Sequence, residues 1–195
     1  MSKYVDKFFM GSILGSNAKP DNPETVMKAC IDRAYRDMMT AGRFYKIGSK
    51  KDNCNAIYDK LAGKVFSRSL IEEVMGVFPS EEIHNDKGGR VTAFGLSQKV
   101  VNMSFKYFYC FRQFAGLEKM DFANLDCPVD SIILAAMKKR SIIKSNHVWS
   151  KLTESEYVII QNALDDKYKP MEKVVNELDG ISKRLMFDFE IWPNA

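Results

Sequence analysis

Apolar residues recur along most of this chain at steps of three and four, the spacing that gathers them on one side of an α-helix. Tyr4, Phe8, Phe9 and Ile13 predict a short first helix, ended by the turn-rich segment GSNAKPDNP. Asn22 has the chemistry of an N-cap, Pro23 suits the first helical position and Glu24 suits the first turn. Behind them Val26, Met27, Cys30, Ile31, Ala34, Tyr35, Met38 and Met39 form a long stripe that Gly42 closes. A linker carrying several cations, GRFYKIGSKKDN, follows. Two more stripes run over 54–66 and 70–78, with a break near Ser67–Ser69.

Pro79 and Ser80 predict a short helical turn, and NDKGGR after it a basic, glycine-rich loop. The most apolar helix of the chain is then expected over 96–114. A connector over 116–126 leads to Pro128, which opens a helix running to about Arg140. SNHVW reads as a loop or a short turn, and Thr153 with Glu156 has the spacing of a capping box, placing a helix over 154–164. Pro170 opens a last helix with Val174, Leu178, Ile181 and Leu185 on one stripe, although Gly180 weakens it. The end, MFDFEIW, alternates apolar with polar and predicts an extended tail packed on the body. The fold class is all-α, a single domain over 1–195, with 79–92 the place where a subdomain boundary would fall.

Composition changes this picture little. A chain of 195 residues, 46% hydrophobic and 28% charged, buries a proper core. The net charge of +4 suits a polyanion partner without requiring one. Cys30, Cys54, Cys110 and Cys127 are scattered, with neither metal-ligand nor secreted-disulfide spacing. No run of about 18 apolar residues is present, so no membrane span is expected. The first residues, broken by Asp6 and Lys7, make a poor signal peptide, and a cytoplasmic protein is expected.

The apolar helix carries one polar arc. Taking Lys99 as origin, Asn102 projects at about −60°, Lys106 at about −20°, and Gln113 and Gly95 at about −40°. On a helix otherwise lined by Val100, Val101, Met103, Phe105 and Phe108, such an arc faces water, a partner or a cavity. A solvated face of a peripheral helix would look the same. Gly95 and Ser97, near the helix start, would let backbone N–H groups point at an anion, with Lys87 and Arg90 just upstream. Asp130, two residues after Pro128, is favoured at a helix start whatever its role.

Two segments carry a resemblance. GLSQKVVN resembles the hairpin of the helix-hairpin-helix DNA glycosylase superfamily, whose pattern is G-hydrophobic-G-x-K. CPVDSIIL resembles the P-V-D-[ST]-hydrophobic segment that supplies that superfamily's catalytic aspartate, and the order agrees. The likeness covers about 40 residues of the 195. Ser97 stands where the second glycine falls, the four-cysteine cluster of some members is absent, and the interval of 31 from Lys99 to Asp130 makes FRQFAGLEKMDFANL an insertion. The resemblance implies an all-α enzyme that binds duplex DNA, flips a damaged or modified base and cleaves its N-glycosidic bond. Asp130 would stabilise positive charge at C1′, and Lys99 would attack C1′ and form a Schiff base. Gly95 would be a hairpin turn residue. The phosphate-binding set would be Lys87, Arg90, Gly95, Ser97, Gln98, Asn102 and Lys106, with Tyr107, Tyr109, Phe111 or Trp149 stacking on the base.

No cofactor or metal is implied. His84 and His147 stand far apart without a nearby cysteine, the adjacent acids Glu72–Glu73 and Glu81–Glu82 point apart on a helix, and no phosphate-loop or dinucleotide motif occurs. Two other readings remain: a non-catalytic DNA- or nucleotide-binding module on the same scaffold, and an interaction protein whose central helix is merely buried.

Overall fold

The computed structural model describes residues 3–41, 44–45, 47–79, 83–178 and 180–192. The chain is all-α. Helix α1 spans Lys3–Leu14 and buries Met10 and Leu14, whereas Phe9 and Ile13, expected on its inner stripe, are exposed. Helix α2, Pro23–Ala41, turns Val26, Cys30, Ile31, Ala34 and Met38 fully inward. Its entry is pinned by Asn22 Oδ1, which accepts from Thr25 N at 3.3 Å. Two short strands, β1 (Phe44–Tyr45) and β2 (His84–Asn85), pair antiparallel, so part of each expected loop is strand. The NDKGGR loop folds over Asn85, whose Oδ1 accepts from the N–H groups of Lys87 and Gly89.

Helix α3, Lys50–Leu61, stops five residues short of its expected end, because the chain turns extended at Ala62 and left-handed at Gly63. Helix α4 covers Ser69–Met75. Helix α5, Ala93–Cys110, lies at the centre with α2 and α4 packed against it. It starts earlier than expected, at the N-cap Thr92, and leaves helical geometry at Phe111, so Arg112–Ala115 forms a separate turn, α6. Helix α7 is Ser131–Lys139. A single 3₁₀ turn at Trp149–Lys151 packs on the start of α5, and α8 spans Glu154–Lys167 behind the capping box of Thr153 and Glu156.

The last expected helix is two. Helix α9 (Glu172–Glu177) ends before Gly180, whose φ of +75° reverses the chain, and α10 (Lys183–Ile191) starts at the N-cap Ser182. MFDFEIW is therefore mostly helix rather than an extended tail. Its polar residues misled the pattern because they are not solvated: Asp188 and Glu190 are buried and matched by Lys106 and Arg140. One hydrophobic core runs from Met10 to Phe187 and draws on both sides of 79–92. The stop expected at Gly42, the turn expected at Ser80, the Glu81–Glu82 pair and the side chains of Tyr4 and Phe8 lie outside the described residues.

Candidate functional site

Fifteen of the eighteen residues of α5 are buried, so its polar arc is not a solvated face. A buried cation requires a partner. Lys99 finds one: its Nζ lies 2.5 Å from Asp130 Oδ2, and the two side chains are 2% and 5% exposed. The sequence placed Asp130 in the first turn after Pro128; it is instead the N-cap of α7, its Oδ1 accepting from Ile133 N at 2.9 Å. One carboxylate oxygen thus starts a helix while the other faces Lys99.

The segment before Asp130 is held by two glutamines. Gln98 donates to Val129 O at 2.8 Å and accepts from Val129 N at 3.1 Å. Gln161 does the same for Cys127, at 2.8 and 3.0 Å. Each amide mimics a strand neighbour for a buried, extended backbone. This fixes the height at which Asp130 meets α5.

The pair forms part of the wall of a cavity of about 390 Å³. Helix α2 contributes Arg33, Asp37 and Thr40; α5 contributes Lys99, Met103, Lys106 and Tyr107; Asp130, Ser131 and Ile132 close one end. Trp192, 39% exposed, borders it, with Lys99 Nζ 5.9 Å and Lys106 Nζ 5.8 Å from its ring centre. These are cation–π distances. Lys106 pairs with the buried Asp188. Burial pulls the Lys106 ammonium down, but Asp188 more than offsets this and leaves it above its ordinary value. Burial holds the Asp188 carboxyl above the usual range, with Lys106 opposing. Across the cavity Asp37 Oδ2 accepts from Tyr107 OH at 2.5 Å, and Arg33 Nε lies 3.0 Å from Asp37 Oδ1. Burial, then Asp37, raises the Tyr107 phenol, so it remains a proton donor. The cavity therefore matches Arg33, Lys99 and Lys106 with Asp37, Asp130 and Asp188, and presents no surplus charge.

Several expected phosphate contacts need correction. Gly95 is not in a turn between helices but in the first turn of α5, where it lets the backbone of Trp149 and Ser150 pass close by. Ser97 is fully buried and its Oγ has no hydrogen-bond partner among the described residues. Gln98 is spent on Val129, and Asn102 donates to Tyr157 OH at 2.7 Å; neither meets solvent, so neither reaches a phosphate. Lys106 is at the cavity but already neutralised. Lys87 lines a different groove, beside Asp86, Lys138 and His147, and Arg90 lies in a third with Lys151.

Of the expected stacking rings, Tyr109 and Phe111 are core, Trp149 packs edge-on to Phe44 at 5.8 Å, and Tyr107 alone borders the cavity. Trp192, Arg33, Asp37 and Asp188 were missed. Arg33, Asp37 and Thr40 carried a signal, a polar row at i, i+4 and i+7 beside the core stripe of α2. The Cys127 thiol, buried near the pair, is pushed well above its ordinary value by burial and offers no nucleophile. Among the described residues no group of His, Cys, Asp and Glu has the arrangement of a metal site, and no helix is long and apolar enough to cross a membrane. Compared with protein-family models, curated proteins and solved structures, the chain matches none of them.

Proposed function

We propose that this cavity is the active site of a DNA glycosylase-like enzyme, which takes in a flipped, modified nucleotide and cleaves its N-glycosidic bond. The observation that carries the reading is the direct Lys99–Asp130 contact in the wall of a cavity bordered by an indole. A volume near 390 Å³ falls at the small end of ligand pockets and suits one nucleoside. Trp192 offers a face on which a base stacks. A buried ion pair stabilises a fold weakly at best, so its placement at a cavity favours a chemical role.

In the step proposed, Asp130 accepts a proton from Lys99, whose freed electron pair forms the new bond to C1′. The C1′–N bond breaks, its electron pair leaves with the base, and the base takes the proton that Asp130 had accepted, which restores the Asp130 carboxylate. Transfer of one of the two remaining amine protons to the ring oxygen breaks the C1′–O bond, opens the sugar and leaves a protonated imine. A carboxylate beside C1′ stabilises the oxocarbenium character of the transition state. The charge match bears on the alternative of a phosphate-binding module: a phosphate in the cavity would find every cation already paired, whereas an uncharged base and sugar would not.

The test is release of free base from duplexes carrying single modified bases. Lys99→Gln and Asp130→Asn are each expected to slow release at least about 10²-fold. Either variant also leaves a buried charge unmatched, a loss of about 3–5 kcal/mol, so melting is followed in parallel. Borohydride trapping separates chemistry from stability. Wild type yields a covalent protein–DNA adduct, and Lys99→Gln, folded at low temperature, yields none. Base release undiminished in both variants would end the proposal.

A further inference from the structure

A site with no surplus charge leaves open which surface meets the phosphates of a polymer. The groove between α1, α2 and α3, about 770 Å³ in volume, carries four cations, Lys28, Arg36, Lys50 and Lys51, against Asp32. The first three make ion pairs, Lys28 with Glu24 at 2.6 Å and both Arg36 and Lys50 with Asp32 at 3.0 and 2.6 Å, yet their side chains remain 45–48% exposed. Two cations on one carboxylate leave positive charge for a third party. The groove that Lys87 lines is poorer, with two lysines against Asp86, and Lys138 there is held by Asn146.

Position on α2 ties this groove to the cavity. Projected down the helix from Lys28, Asp32 lies at about 40° and Arg36 at about 80°, while Thr40, Arg33 and Asp37 follow at about 120°, 140° and 180°. The cationic groove and the Lys99–Asp130 cavity are therefore adjoining strips of one helix. A second feature is local. Lys50 and Lys51 occupy the first turn of α3, the end at which the helix dipole disfavours positive charge. Placement against a local preference marks a residue kept for something other than stability.

We infer that this groove is the track for the phosphodiester backbone of the substrate, so that the cavity acts on a nucleic-acid strand rather than on a free nucleotide. The inference rests on the reading of the cavity given above and names the surface that reading lacks.

The experiment uses the full chain, a fluorescently labelled 20-base-pair duplex without modified bases, and Lys50→Gln/Lys51→Gln. Both lysines are exposed, so the double variant keeps its fold, and its melting temperature is expected to equal or exceed that of wild type. Duplex affinity is expected to fall about tenfold at low salt, with the slope of log K against log salt reduced by about two, one for each lost phosphate contact. A mononucleotide in excess leaves the labelled duplex bound. Unchanged affinity and slope overturn the inference, as does wild-type protein that binds vesicles of acidic phospholipid but not the duplex. Base release assayed on the same proteins keeps the two proposals apart. Lysine-dependent binding with no release by wild type removes the catalytic reading and leaves the track. Release that is indifferent to both lysines removes the track alone.

Discussion

A methyl group on Gly95 would fall 2.7 Å from Trp149 O and 2.8 Å from Ser150 C, both backbone atoms that a rotamer change cannot move. Gly95→Ala is therefore expected to destabilise the fold by about 1–3 kcal/mol, measured as a shift of the urea midpoint at unchanged slope. Tolerance of alanine would mean that the 3₁₀ turn yields. The same residue was legible only as a glycine near a helix start, where a turn or an anion was expected; the backbone that passes it belongs to 149–150, more than 50 residues away in sequence. Lys99 was legible as a cation on the polar arc of an otherwise apolar helix, and Asp130 as an acid at a helix start just after Pro128. Their neighbours were not, because Tyr107 meets Asp37 across 70 residues and Lys106 meets Asp188 across 82, and no local pattern encodes such pairings.

At the scale of elements, helix starts are where local chemistry speaks most directly. Thr153 Oγ1 accepts from Glu156 N, and Glu156 Oε2 accepts from Thr153 N at 2.9 Å, as their spacing predicts. The N–H of Thr153 holds the Glu156 carboxyl below its ordinary value of 4.5, with His147 assisting. A lowered carboxyl stabilises the fold above that ordinary value and loses its contribution as pH falls through the lowered one. The difference in melting temperature between wild type and Glu156→Gln should thus be largest above the ordinary value of 4.5 and shrink as pH falls below it. A difference independent of pH would show that the amide serves the cap equally well. Helix α10 escaped the pattern for the opposite reason. Its start, Ser182, accepts from Leu185 N at 3.0 Å, an ordinary cap. Its buried acids, however, are satisfied by residues far away in sequence, so they imitated the alternation of a strand.

At the scale of the whole molecule, one carboxylate joins the parts. Asp126, on the connector before α7, is buried and accepts from Arg68 Nε at 2.7 Å and Nη2 at 3.2 Å. Tyr157 OH on α8 donates to it at 2.9 Å, and Arg184 Nη1 on α10 lies 2.5 Å away. The start of α4, the connector, α8 and the last helix are thereby tied at one point, over a core common to both sides of 79–92. Asp126→Asn keeps the shape but leaves two guanidinium groups facing a neutral amide. Breaking a buried pair costs about 3–5 kcal/mol, and the third of its side chain that Arg68 exposes puts this case at the lower end. For a chain of this length each kcal/mol shifts the melting temperature by about 2–4 °C, so a fall of about 6–12 °C is expected. Far-UV circular dichroism and the fluorescence of Trp149 and Trp192 should fall together, in wild type and variant alike, because one buried cluster spans the described residues on both sides of 79–92. A fluorescence transition that moves while the circular dichroism stays would mean that Asp126 secures only the α8–α10 end, and that the molecule unfolds in stages.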